Sequence, residues 1–192
     1  MIRLYAFLGN VGDQYAQTRH NVAWQFLNSL SIYRELSWTH NFKGVYATYV
    51  HGGEKRYFLK PETLMNASGE SIQALAHFAR IEPSEILVIH DELEIPFGYI
   101  SMKEGGGLGG HNGLRSSVAC LGTNNFYRFR IGIGRPNHSN IADYVLSNFS
   151  VSERKTLQEL VFPQAERAFT SCLESGFSAV AEEYKKKNAL ED

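Results

Sequence analysis

Short apolar runs alternate with amphipathic stretches along this chain. Ile2 to Leu8 is mostly apolar and is closed by Gly9-Asn10 and Gly12-Asp13, the pattern of a buried strand entering a turn-rich loop. Ala23, Phe26, Leu27 and Leu30 then recur at helical spacing, with Thr18 as the candidate N-cap and Arg19-His20-Asn21 at the helix start. Gly44 to Val50 and Arg56 to Leu59 flank His51-Gly52-Gly53-Glu54, which predicts a hairpin whose second strand ends at Lys60-Pro61. A helix from about Ser68 buries Ile72, Leu75, Ala76 and Ala79 and leaves Asn66 in the loop before it.

Ile86-Leu87-Val88-Ile89 has the continuous apolar character of a strand buried on both faces, and it runs into His90-Asp91-Glu92. Polar groups there face the crevice at the carboxyl ends of an open α/β sheet. Phe97 to Lys103 reads as a further strand, followed by a glycine run from Gly105 to Gly110 and a helix with Asn112 as its candidate N-cap. Another strand spans Phe126 to Ile133. A short helix follows at Ile141 to Leu146, then a longer one from about Ser152, broken or kinked at Pro163 and ending in Lys185-Lys186-Lys187. This alternation predicts an α/β fold: a single domain over 1–192 with a mixed, twisted central sheet and helices on both faces.

Composition narrows the class. At 192 residues and 43% hydrophobic, the chain carries enough apolar surface for one sizeable core. Its formal charge of -1 demands neither a nucleic acid nor a membrane, so any polyanion site must be local. Such a site has one candidate. Between Gly105 and Ala142 there is no acid, yet Arg115, Arg128, Arg130 and Arg135 fall there, with Lys103 just before. That stretch is either an RNA-phosphate surface or a solvated face neutralised by acids from elsewhere. Cys120 and Cys172 lie far apart outside any CxxC pair, which argues against a disulfide framework or structural zinc and points to a cytoplasmic home. No run approaches the roughly 18 apolar residues of a membrane span, and none has the form of a signal segment.

His20 at a helix start is the candidate general base, because histidine alone titrates near neutrality unperturbed. The helix dipole there favours a neutral ring, and Asp91 is the candidate carboxylate to fix its tautomer. Spacing alone does not pair the two, and His20 could equally hydrogen-bond within its own loop. The run at Gly105, Gly107 and Gly110 matches GxGxxG, but the acid a dinucleotide site needs about 20 residues on is missing. It is either a backbone approach to a ligand or a flexible connector. No GxSxG elbow occurs, and Cys120 reads as a structural thiol. His90, Asp91 and His111 are ligand types that suit zinc, but without paired motif spacing. A non-catalytic RNA-binding module and a metal-dependent hydrolase therefore stand as alternatives to a base-catalysed esterase.

Five ordered segments then add up: Gly9-Asn10 through Tyr15 to Thr18-Arg19-His20-Asn21; Lys60-Pro61 to Met65-Asn66-Ala67-Ser68-Gly69; His90-Asp91-Glu92-Leu93; Gly105 to Gly113; and Arg128-Phe129-Arg130-Ile131-Gly132-Ile133-Gly134-Arg135-Pro136. Together they closely resemble the bacterial-type peptidyl-tRNA hydrolase family over nearly the whole chain. The resemblance implies hydrolysis of the ester between a peptide and the terminal ribose of tRNA, in the service of translation and ribosome rescue, by a cytoplasmic monomer with no cofactor and no metal. It implies that His20 deprotonates water, Asp91 orients His20, and Asn10 helps tell peptidyl from free aminoacyl groups. Asn66 and Asn112 would surround the substrate, Tyr15, Leu64 and Met65 would shape the cleft, and Lys103 and Arg130 would meet tRNA phosphates. Phe7 and Val11 depart from the glycine and proline usual at those positions, which implies added bulk beside Asn10 and a freer first loop.

Overall fold

Strand alternation sorts the core into two layers. In the computed structural model, which describes residues 1–137 and 140–191, eight strands form one mixed sheet. They are β1 (Leu4–Phe7), β2 (Thr39–Asn41), β3 (Gly44–His51), β4 (Glu54–Pro61), β5 (Ile86–Glu92), β6 (Tyr99–Glu104), β7 (Tyr127–Gly132) and β8 (Lys187–Asn188). Their order is β2-β3-β4-β1-β5-β7-β6-β8. The central β4, β1, β5 and β7 run parallel, and the outer strands pair antiparallel to their neighbours.

Tyr5 and Phe7 of β1, with Leu87 and Ile89 of β5, pack against Ala23, Phe26 and Leu27 of α1 (Val22–Ser29). The same layer takes in Ala165, Phe169 and Cys172 of α6 (Phe162–Ser175). The opposite residues, Leu4, Ala6, Ile86 and Val88, pack against α2 (Ser68–Ala79) and α3 (Asn112–Leu121). Helices thus cover both faces, as the continuous apolar run of β5 requires. Gly69 is obligatory where α2 crosses α3: a Cβ there would lie 2.2 Å from the Ser116 carbonyl oxygen. Among the described residues no helix is long and apolar enough to cross a membrane.

Several boundaries differ from expectation, each for a local reason. Thr18 does not cap α1 through its side chain; its hydroxyl donates to the Tyr15 carbonyl, and a 3-10 turn at Arg19–Asn21 precedes the helix. Asn112 is not the cap of α3 but its first residue, because the His111 imidazole accepts from the Gly113 and Leu114 amides. The long helix is not interrupted at Pro163. α5 (Val151–Thr156) passes through a π-helical turn at Leu157–Val161 directly into α6, and the widened turn accommodates the missing proline N–H. It ends at Ser175, so Lys185 to Lys187 do not complement its dipole; Lys187 begins the edge strand β8.

The two departures in the first loop also resolve. Phe7 adds no bulk beside Asn10: its ring points into the core against Phe58 and Phe169, with centroids 6.2 and 5.9 Å away. Val11 does not loosen the loop, since its N–H donates to the Thr63 carbonyl at 3.1 Å, a bond proline could not make.

Candidate active site

Parallel β1 and β5 deliver their carboxyl ends side by side, with Phe7 opposite Ile89. Asp91 lies two residues further along β5 and is 2% exposed. His20 Nδ1 donates to both Asp91 carboxylate oxygens, at 2.8 and 3.0 Å. The His111 ring, at the mouth of α3, brings Nε2 within 2.9 Å of Asp91 Oδ1. His111 Nδ1 already accepts from Gly113 and Leu114 N–H, so its proton sits on Nε2 and is donated to Asp91. One carboxylate therefore orients two imidazoles, and His20 keeps Nε2 free as an acceptor.

Electrostatics follow from this arrangement. Burial alone lowers the His20 pKa, but the Asp91 charge and hydrogen bond outweigh it, and the net shift is upward from the ordinary imidazole value. Asp91, the carboxylate expected beside His20, sets the net direction, and His20 stands in the 3-10 turn that precedes α1. Burial works to raise the Asp91 pKa, yet the His20 and His111 imidazoles hold it far below the usual carboxylate range. His90 points the other way along β5. Burial first, then the neighbouring His111, push its pKa well down, its Nδ1 donates to the Asp91 carbonyl, and it takes no place in the cleft.

Asn10 is set with equal economy. Its N–H donates to Asn21 Oδ1 and its carbonyl accepts from Asn21 Nδ2, both at 2.9 Å. Its own Oδ1 accepts from the Met65 N–H at 2.7 Å, which leaves the Nδ2 donors for a ligand. Asn21, fully buried, is a positioning residue that sequence reasoning passed over. Its adjacency to His20 was the available signal. Asn66 and Asn112 are exposed, with amides that make no hydrogen bond among the described residues.

A cleft of about 270 Å³ brings together Asn10, Tyr15, His20, Leu64, Met65, Asn66 and Asn112, walled by Ala142, Val145 and Leu146. A second cavity of about 360 Å³ adjoins it across His20 and Asn112, lined by Asp91, Leu93, Gly109, Gly110 and His111. A substrate with two bulky ends joined by a reactive bond fits this pair, with His20 at the junction. The wall belongs to α4 (Ile141–Val145) and Leu146 just after it.

The basic stretch divides. Arg128 is no surface group: 2% exposed, it donates to the Gly106 and Gly107 carbonyls at 2.9 and 2.6 Å and clasps the glycine run. Arg135 pairs with Glu94. Arg130 is half-buried, donates to Ser101 Oγ and stands 3.7 Å from Glu92. Lys103 and Arg115 are exposed and pair with no acid among the described residues. Neither Lys103 nor Arg130 lines the cleft. The only cation-ligand grouping of three among the described residues is His20, Asp91 and His111, with ligand atoms within 4.8 Å of one another. There the imidazole donors already meet Asp91 in hydrogen bonds, so a cation would have to displace those protons.

Comparison with known proteins gives consistent results. A family model described as Peptidyl-tRNA hydrolase matches residues 4–191. The peptidyl-tRNA hydrolase of Desulfitobacterium hafniense (strain Y51) is 44% identical over 161 residues, 83% of this chain and 87% of that protein. That of Coxiella burnetii (strain RSA 331 / Henzerling II) is 50% identical over 154 residues, 80% of this chain and 81% of its own. A crystal structure of peptidyl-tRNA hydrolase from Acinetobacter baumannii superposes with a TM-score of 0.80 at 33% identity, covering 96% of each chain. A crystal structure of peptidyl-tRNA hydrolase in complex with N-propanol gives 0.85 at 34%, covering 96% of this chain and 94% of that one.

Proposed function

The chain belongs to the peptidyl-tRNA hydrolase family, and from that premise we propose that it cleaves the peptidyl-tRNA ester by direct addition of water, with His20 as general base. The observation that carries this reading is the Asp91 carboxylate bound to His20 Nδ1, which in the neutral ring leaves Nε2 as the acceptor at the junction of two cavities.

His20 Nε2 takes a proton from water as the water oxygen bonds to the ester carbonyl carbon. The resulting imidazolium is stabilised by Asp91. The tetrahedral oxyanion collapses, the bond to the ribose oxygen breaks, and that oxygen leaves with the proton from His20. Base catalysis of this kind supplies roughly 10²–10⁴-fold, and amide donors of Asn10, Asn66 and Asn112 stabilise substrate and oxyanion. The Met65 N–H fixes the Asn10 amide through Oδ1 and leaves its Nδ2 donors for the substrate. Those donors bind the extra carbonyl of a peptidyl or N-acyl group, a bond that a free α-ammonium has no acceptor to form. Tyr15, Leu64 and Met65 shape the cleft, and Lys103 and Arg130 serve the tRNA phosphates. The same reading takes the enzyme as a cofactor-free monomer of the cytoplasm.

His20→Ala is expected to reduce peptidyl-tRNA cleavage by at least about 10²-fold while the fold and tRNA affinity persist. Normal turnover in that variant, with or without a chelator, sinks the assignment. A parallel assay on N-blocked against unblocked aminoacyl-tRNA checks the role of Asn10: wild type favours the blocked substrate, and Asn10→Ala loses that preference.

A further inference from the structure

His20 is preceded by Arg19, a charged residue only 9% exposed that takes no part in the reaction described above. Its guanidinium forms two parallel hydrogen bonds with the Glu153 carboxylate, at 2.9 and 3.0 Å. It also lies between two aromatic rings, 4.6 Å from the Tyr144 centroid and 4.8 Å from that of Phe149. The backbone adds to this: Arg19 N–H donates to the Ser147 carbonyl, and Thr18 pairs antiparallel with Asn148. These partners run from Tyr144 of α4 through Ser147, Asn148 and Phe149 to Glu153 of α5, and the α4 side chains Ala142 and Val145 wall both cavities around His20.

Glu153 has two roles. It completes a capping box with Ser150 at the start of α5, so the carboxylate that grips Arg19 is itself fixed to a helix end. At its other side the wall is tied to the residue just after β7, where the Tyr144 hydroxyl donates to the Ile133 carbonyl at 2.6 Å. A bidentate, half-buried ion pair with two rings against its guanidinium is a stiff connection, and a surface loop needs none of it for solubility.

We propose that Arg19 and Glu153 are positioning residues for hydrolysis: their ion pair braces the α4 wall against the His20 turn and fixes the width of the gap in which the ester lies. The inference rests on the reading of His20 as the base. Neither residue touches substrate in this scheme; each acts through the separation of wall and imidazole. Displacement of a reacting group by about 1 Å can cost roughly 10²-fold in rate, so a slackened brace shows in kcat.

The test compares Arg19→Lys, Glu153→Gln and Glu153→Asp with wild type and His20→Ala, each assayed well below its own thermal midpoint. Lys keeps the charge but lacks the fork; Gln keeps the shape but lacks the charge; Asp keeps the carboxylate. Expected are kcat losses of about ten- to a hundredfold in Arg19→Lys and Glu153→Gln, with much of the activity retained in Glu153→Asp. Affinity for tRNA and the midpoint of the pH-rate profile should stay in place, because the His20–Asp91 bond is intact. A thermal shift without a kcat change at low temperature reduces the pair to a structural tie and overturns the proposal. So does a displaced pH midpoint, which would mean that the pair acts on the base electrostatically. Should Arg19→Lys fail to fold, the partly exposed Glu153→Gln decides alone. Inactive His20→Ala with wild-type brace variants removes the brace and leaves the base; active His20→Ala removes both.

Discussion

Two imidazoles draw on the Asp91 carboxylate, and the pH at which His20 can accept a proton depends on that carboxylate. With Asp91 ionised, the His20 pKa lies above its ordinary value, so under the proposed base mechanism, which needs the neutral ring, activity rises with pH along a limb displaced to the alkaline side. Asp91→Asn removes the charge that raises it while the burial that lowers it remains. The limb should therefore move to lower pH as the plateau falls by roughly 10²–10⁴-fold. The fall has a geometric cause besides the electrostatic one. His20 Nδ1–H also reaches the second carboxylate oxygen, Oδ2, at 3.0 Å, and with Oδ1 accepting from both imidazoles an amide would set its NH₂ against that N–H donor. A pH-rate profile of Asp91→Asn checks both parts, and a limb that stays put or moves to higher pH refutes the electrostatic one. His111→Asn should be milder than Asp91→Asn, because it leaves Asp91 with His20. The opposite order of kcat losses would contradict this sharing.

At the scale of elements, the site is held by close approaches between loops that only particular residues permit. A Cβ on Gly113 would lie 2.5 Å from Met65 Sδ and 2.8 Å from a Leu8 methyl. Met65 is also the residue whose N–H fixes Asn10. Gly113→Ala is expected to cost about 1–3 kcal/mol in stability through overpacking. It should also raise KM as Met65 moves and the cleft floor with it, measurable by thermal denaturation and steady-state kinetics. The legible and illegible parts of the sequence divide along this line. Strands and helices with strong periodicity, such as Ile86 to Ile89 or Ile72, Leu75 and Ala76, stand almost where the pattern puts them. The carboxyl-end placement of Asp91 follows from that pattern too. His20 could not be joined to Asp91 by periodicity, because their contact spans 71 positions and depends on β1 and β5 being neighbours. The resemblance to a family supplied that pairing. The cap of α3 was misplaced by one residue because His111 and Asn112 both carry suitable acceptors, and only the fold orients one of them. Edge strands β2 and β8, three and two residues long, carry no periodicity to read. Burial of Arg128 was equally hidden, since a charged residue beside Arg130 reads as surface until the glycine run folds over it.

For the whole molecule the question is how a chain of net charge -1 holds a polyanion. Bulk charge gives no attraction, so the proposed binding has to rest on a few cations outside the cleft, and the salt dependence should count them. Each single-strand phosphate contact contributes about 0.7 to the slope of log affinity against log salt. Lys103 is exposed and unpaired among the described residues, so Lys103→Ala should reduce the slope by about 0.7 and weaken tRNA binding while kcat at saturation holds. Arg128, with the same formal charge one strand away, should behave in the reverse sense. Its guanidinium is spent on the Gly106 and Gly107 carbonyls, so Arg128→Ala should leave the slope unchanged. That variant should lower stability and kcat instead, because the run it clasps leads into His111. Arg130 tests the boundary between the two. Beside Glu92 at 3.7 Å it is already partly neutralised, and Glu92→Gln should free it and tighten tRNA binding at low salt. Filter-binding titrations of these three variants over a range of salt separate the cases. Equal slopes in wild type and Lys103→Ala would place the phosphate contacts elsewhere, with exposed Arg115 the next cation to examine.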